Sequence, residues 1–339
     1  MAGEPSLYAS RLRLELNARN RRYAQGRLSV ESYGNPQVIV YEPDGELHGN
    51  FHEPAWRAIC SRPEWMRRFD KVHAQAARSL PKPTHDPARR WKELDSSTSS
   101  DALLMNVFCT PGVAEALAVR KMLGVDGSQA PEFGWKARVP LKSGRFDRTE
   151  VDMRWGGLLV EAKLTESDFQ TCKSEVVEAY RDFAEVFDRE RLPPVEIRMV
   201  RRRDAVELVE EFTQEWEPKA DDDGEAARAF QAEIVARADE LQPRASGYAS
   251  YQLIRNVLAA HAQDESFCVI HDARRPDLRE AWFEVMAAVK SAELRVRLKV
   301  LTWQELAAVL PENLQAFLDV KYGVVAPGKV SATVVDEIE

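Results

Sequence analysis

Asp152, Glu161 and Lys163 are the residues whose types and spacing could do chemistry together. Carboxylates brought directly opposite one another repel, and the repulsion calls for a compensating cation. A divalent metal is the economical one, because Mg2+ accepts a few carboxylate oxygens and keeps waters that can react. A lysine on the same face adds a positive charge beside the bound water.

The elements that must position these residues are two β-runs around a glycine pair. Thr149 to Trp155 alternates polar and apolar residues, Gly156-Gly157 follows, and Leu158-Leu159-Val160 runs into Glu161-Ala162-Lys163. Glycine reaches the positive φ of primed turns, so the pattern predicts a two-residue hairpin. Counting back from the turn sets Trp155 opposite Leu158, Met153 opposite Val160, Asp152 opposite Glu161, Val151 opposite Ala162 and Glu150 opposite Lys163. Such partners have Cβ atoms about 5 Å apart. A plainer reading is a solvated edge hairpin with a Glu150–Lys163 ion pair. The apolar run 158–160 speaks instead for a central, buried strand.

Asp152, eight intervening residues, Glu161, one residue and Lys163 resemble the signature of the PD-(D/E)xK nuclease superfamily, with its restriction-endonuclease-like fold. Val151 stands where that signature often has proline. The resemblance implies that Asp152 and Glu161 hold Mg2+ (Mn2+ as substitute), with the Ala162 carbonyl a candidate further ligand. It implies that Lys163 positions or activates the attacking water. An acidic residue on the helix before the hairpin often completes such sites, and Glu115 matches that position by resemblance. On a helical wheel Glu115 shares a side with Ala118, Val119 and Met122, although a half-exposed Glu near a helix start is also favoured by the dipole.

The order of elements suits an α/β fold, a restriction-endonuclease-like αβββαβ mixed sheet flanked by helices. Residues 1–95 read as a mainly helical N-terminal extension, with a helix from Leu7 to about Tyr23 carrying Arg11, Arg13, Arg19, Arg21 and Arg22. His48 and His52 have metal-ligand spacing, but Asn50 and nearby glycines make a helix doubtful and a structural role the better reading. Pro81, Pro83 and Pro87 mark the boundary before a nuclease-like domain over 96–325, with a helical insertion at about 201–246 and a flexible tail at 326–339. Within the domain, the serine-rich run 96–100 caps a helix at 102–108 with Asp101 in its first turn. Thr110 and Pro111 begin a second helical segment. A strand runs from Trp135 to Leu141. Thr165 caps a long helix to about Arg189, whose Phe169, Val176, Tyr180, Phe183 and Phe187 are core. A strand at 267–270, a helix at 278–291 and a strand at 296–301 form a βαβ crossover suited to a parallel pair.

The net charge of −8 speaks against a uniformly basic surface, though a local basic groove is compatible with it. Lys136, Arg138, Lys142, Arg145 and Arg148 cluster just before the hairpin and suit a phosphodiester backbone. Gln252 and Arg255, on a late helix, resemble positions facing nucleic acid in relatives, or are simply a helix surface. Four scattered cysteines without a CxxC, and no apolar run of membrane-spanning length, point to a cytoplasmic protein with reduced thiols. The leading expectation is a Mg2+-dependent DNA nuclease of restriction, defence or repair. Cleaving both strands of a duplex would favour a homodimer. The alternative is a catalytically silent nuclease-like module that binds nucleic acid or protein. A retaining glycosidase is a remote alternative, because one hairpin face cannot flank a sugar from both sides.

Overall fold

The computed structural model describes residues 7–34, 36–73, 79–127, 129–198 and 244–331. Most of the expected helical insertion and of the expected flexible tail lies outside the described residues.

Helices α1 (Leu7–Tyr23) and α2 (Glu53–Cys60) precede α3 (Ser100–Phe108) and α4 (Leu117–Leu123). Strands β1 (Glu132–Lys136), β2 (Glu150–Trp155) and β3 (Leu158–Ala162) follow. After helix α5 (Tyr251–Gln263) come β4 (Ser266–His271), α6 (Pro276–Ala288), β5 (Leu298–Thr302) and α7 (Glu312–Tyr322). The five strands form one mixed sheet in the order β5-β4-β3-β2-β1. β1, β2 and β3 pair antiparallel, whereas β3, β4 and β5 run parallel. The crossover through α6 is therefore the parallel connection that its sequence predicts.

β3 is the dry centre of the sheet. Leu158, Leu159 and Val160 are at most 1% exposed, and burying such a side chain contributes about 1.5–3 kcal/mol. Leu158, Val160 and Ala162 join one apolar cluster with Phe108, Trp155 and Trp303. Leu159 points the other way, into a cluster with Val257, Phe267 and Trp282. This alternation fixes the face of Glu161, which shares its parity with Leu159.

The N-terminal region is continuous with this core. Leu12 and Leu16 of α1 pack in the same cluster as Leu104 and Val160. Phe51, Trp56 and Phe69 pack with Ala102 and Met105 of α3. His48 and His52 are structural: His48 Nε2 lies 3.1 Å from Asp95 Oδ1, and His52 Nδ1 lies 3.2 Å from Thr110 Oγ1.

Three expected elements differ. The strand predicted at 135–141 ends at Lys136, and Val139–Pro140 pairs separately with Phe146–Asp147. The segment after Thr110 is a series of turns, and helix begins only at Leu117. The long helix expected from Thr165 is broken into short pieces, Ser174–Val177 and Phe183–Val186 among them. The reason is local. The Asp168 carboxylate accepts the Gln170 amide at 2.6 Å and Gln170 adopts φ 63°, a side-chain turn that competes with helix. The Phe169 and Gln170 carbonyls then accept the Gln252 and Tyr251 amides and tie down the start of α5. Phe169, Tyr180, Phe183 and Phe187 are buried as expected, but Val176 is 47% exposed.

Candidate functional site

The hairpin forms with Gly156-Gly157 as its loop and Gly156 at φ 58°. Its ladder holds Trp155 opposite Leu158, Arg154 opposite Leu159 and Met153 opposite Val160. There it stops. The expected pairings of Asp152 with Glu161, Val151 with Ala162 and Glu150 with Lys163 are not ladder pairs. Asp152 instead turns its carboxylate across the gap, and Oδ2 accepts the Ala162 amide at 2.8 Å. A side chain thus replaces the main-chain acceptor where the strands part. The change coincides with Gly134 on β1, the residue opposite Asp152 in the β1–β2 register, which has φ 63°. Only glycine takes that conformation freely.

Glu161 and Lys163 come from the buried end of β3 and the residue just beyond it, 2% and 5% exposed. Lys163 Nζ donates to Glu161 Oε1 at 2.9 Å and to Gln252 Oε1 at 2.8 Å. Asn256 Nδ2 donates to Glu161 Oε2 at 2.8 Å. The main chain of Lys163 is fixed on both sides, its amide on the Ile270 carbonyl and its carbonyl on Trp303 Nε1. Arg275, fully buried, donates to the Leu164, Glu166 and Ser167 carbonyls and holds the loop that follows.

A second pair of acids borders Asp152. Asp101, in the first turn of α3, and Glu150, at the start of β2, are bridged by Arg68 at 2.5 and 2.7 Å. Gly134 makes room for this guanidinium: a Cβ there would lie 2.8 Å from Arg68 Nη1.

The electrostatics follow. Burial first, then the like charges of Glu161 and Asp101, push the Asp152 carboxyl well above the usual carboxylate range. Burial likewise raises Asp101 despite the attraction of Arg68. For Lys163, burial opposes the charge, but Glu161, Glu166 and Asp152 outweigh it and hold the ammonium protonated.

Among the described residues, no three His, Cys, Asp or Glu side chains gather as a metal-holding group. The donors that do gather, Asp152 and Glu161, fit one kind of cation. Mg2+ is commonly held by one or two carboxylates together with waters and substrate phosphates. Each carboxylate oxygen here accepts at most one recorded hydrogen bond, which leaves lone pairs for a ligand. The raised Asp152 pKa marks negative charge in want of a partner.

Several expected site residues lie elsewhere. Glu115 is exposed, in the turns before α4, and is not among the charges acting on Asp152. Asp101, in the first turn of α3, is an acid whose charge does act on Asp152. Arg255 is 4% exposed and donates to the Glu150 carbonyl and Asn256 Oδ1, so it supports the site from within and presents no face to nucleic acid. Gln252 is turned onto Lys163. Lys136, Arg138, Lys142, Arg145 and Arg148 are all exposed. Arg138 stacks 4.6 Å from the Phe146 ring centre.

Arg68, Gly134, Asp101 and Asn256 are the site residues that the sequence reading passed over. Asn256 left a signal, since it follows Gln252 by one helical turn on the same face. Arg68 left none, because it reaches Glu150 across 82 positions. A cavity lies beside the Asp152 and Glu161 carboxylates and not on them. It is a cleft of about 570 Å3 lined by Trp65, Arg67, Arg68, Lys71, Gly134, Lys136 and Glu150, among others.

No described helix is long and apolar enough to cross a membrane. Comparison with curated proteins and with solved structures finds no match. A family model described as "Restriction Endonuclease associating with ARP" matches residues 17–323, a span that takes in the end of α1, the Arg68 segment, the hairpin and α7. The chain belongs to this family, REase-ARP.

Proposed function

We propose that the chain is a Mg2+-dependent nuclease that hydrolyses DNA phosphodiesters, with Asp152, Glu161 and Lys163 at its centre. The observation that carries the reading is the convergence of a charge-starved Asp152, a buried Glu161 and a protonated Lys163 at the parting of two strands. Membership of a family named for restriction endonucleases supports it. So does the mixed five-stranded sheet flanked by helices, the kind of fold that a restriction-endonuclease-like nuclease would have.

Asp152 and Glu161 would hold the cation, with Asp101 close enough to add its charge. Bound Mg2+ supplies a Lewis acid and lowers the pKa of its water. Asn256 and Lys163 hold the Glu161 carboxylate from two directions and set its orientation. Lys163 stays protonated, so it cannot take a proton from water. It serves as a hydrogen-bond donor and fixed charge beside the phosphate, where negative charge develops. The exposed cations from Lys136 to Arg148 would carry the backbone. The reading places the activity in restriction, defence or repair and favours a homodimer for double-strand cleavage.

The test is cleavage of plasmid and of single-stranded DNA in Mg2+ or EDTA, wild type beside Asp152→Ala. Metal-dependent cutting that disappears in the variant supports the nuclease. The competing reading, a silent binding module, has one observation in its favour: both Glu161 oxygens are already engaged by protein donors. DNA binding without cutting in any metal would establish it instead.

A further inference from the structure

Trp65 walls a second cavity of about 280 Å3, separate from the carboxylate site, which it shares with Arg62, Cys109, Glu115, Arg120 and Gln129. Arg62 is half-buried, with its guanidinium carbon 4.3 Å from the Trp65 ring centre. It stands near enough to Cys109 for its charge to act on the thiol. Arg120 projects from α4, also half-buried, and its Nε is shut from solvent without a hydrogen-bond partner. Among the described residues neither arginine has an acid within ion-pair distance. Glu115, on the same wall, is exposed and pairs with neither.

Two cations drawn partly out of water, with no counter-charge, are costly unless a ligand supplies one. The planar fork of arginine matches the oxygens of a phosphoryl group and binds them in pairs. Gln129 adds a neutral polar group, and Phe108 and Pro131 give an apolar wall. We propose that this cavity binds a phosphoryl oxyanion, carried by a free nucleotide or by the 5′ end of a strand. The Glu115 carboxylate opposes such a ligand and tempers its affinity.

The experiment titrates the full chain in EDTA with inorganic phosphate, adenosine 5′-monophosphate, adenosine, and a short oligonucleotide with or without a 5′-phosphate. Calorimetry and Trp fluorescence report binding. Phosphate and at least one phosphorylated ligand should bind, and adenosine and the unphosphorylated strand should not. Preference for the mononucleotide or for the phosphorylated strand identifies the source. Arg62→Gln and Arg120→Gln should each weaken binding by about tenfold or more, the loss of a charge-assisted hydrogen bond. Glu115→Gln should tighten it. Thermal unfolding verifies that each variant folds, and the Glu115 variant gives a readout that poor folding cannot imitate. No binding at millimolar ligand, or binding unchanged in both arginine variants, overturns the proposal. Neither outcome bears on cleavage at Asp152.

Discussion

Asp152 Oδ2 accepts the main-chain amide of Ala162 at 2.8 Å, and this bond stands where a strand-to-strand pair would otherwise be. The hairpin is zipped from Gly156 back to Met153 and then opens. The acid at the opening is held by one oxygen while burial and its acidic neighbours penalise its charge. On the proposed function, this is the place a divalent cation would take.

The first prediction concerns pH. The Asp152 pKa is raised in the folded chain, so the native state holds a proton that the unfolded state has already released. Stability of the metal-free protein should therefore fall as pH rises from the ordinary carboxylate range through the raised value. Asp152→Asn, which carries no charge, should flatten that slope and unfold at higher temperature than wild type in EDTA at neutral pH. Mg2+ should bind more tightly as pH rises, since it displaces that proton. Thermal unfolding across pH, with and without Mg2+, checks both signs. A wild-type slope that survives in Asp152→Asn would assign the effect to another group.

Asn256 offers a second test. Its amide is a neutral donor to Glu161 Oε2. Asn256→Leu should lower metal affinity and cleavage rate by about 10- to 100-fold, the usual effect of losing a group that orients a ligand. Metal titration and single-turnover rates would show it.

The third concerns Arg68, whose side chain is 8% exposed between Asp101 and Glu150. Arg68→Met should destabilise the fold by about 2–3 kcal/mol in urea unfolding, since it strands a buried acid. Gly134→Ala should also destabilise, by roughly 1–2 kcal/mol for the left-handed backbone alone, plus the cost of displacing Arg68. In the Arg68→Met background only the backbone cost should remain. A double-mutant cycle measures the difference, and strict additivity would show that Gly134 and Arg68 are uncoupled.

What the sequence disclosed was what local rules govern. Gly156-Gly157 announced the hairpin, Ser99 caps α3 by accepting the Ala102 amide, and the spacing of Asp152, Glu161 and Lys163 set these three beside the same strand end. The opening of the hairpin was hidden, because it coincides with the left-handed Gly134 on the neighbouring strand, a residue outside the hairpin that makes room for Arg68. Glu115 was misplaced because Thr110 and Pro111 imitate a helix start that the chain does not use; Thr110 Oγ1 donates back to the Asn106 carbonyl at 2.7 Å. Gln252 and Arg255 are expected to face nucleic acid or to be simply a helix surface, yet the helix packs that side against the hairpin and Lys163. The hairpin opening and the α5 face are tertiary contacts that outweigh a local signal, whereas the helix starts expected at Thr110 and Thr165 yield to side-chain hydrogen bonds within a few residues.

The most direct measurement is calorimetric titration of Mn2+ into wild type, Asp152→Asn, Glu161→Gln and Lys163→Met. The account predicts binding by wild type, its loss in both carboxylate variants, and its retention in Lys163→Met, where cleavage alone should fail. Binding that persists in either carboxylate variant, or a wild type that takes up no metal at any pH, would contradict it.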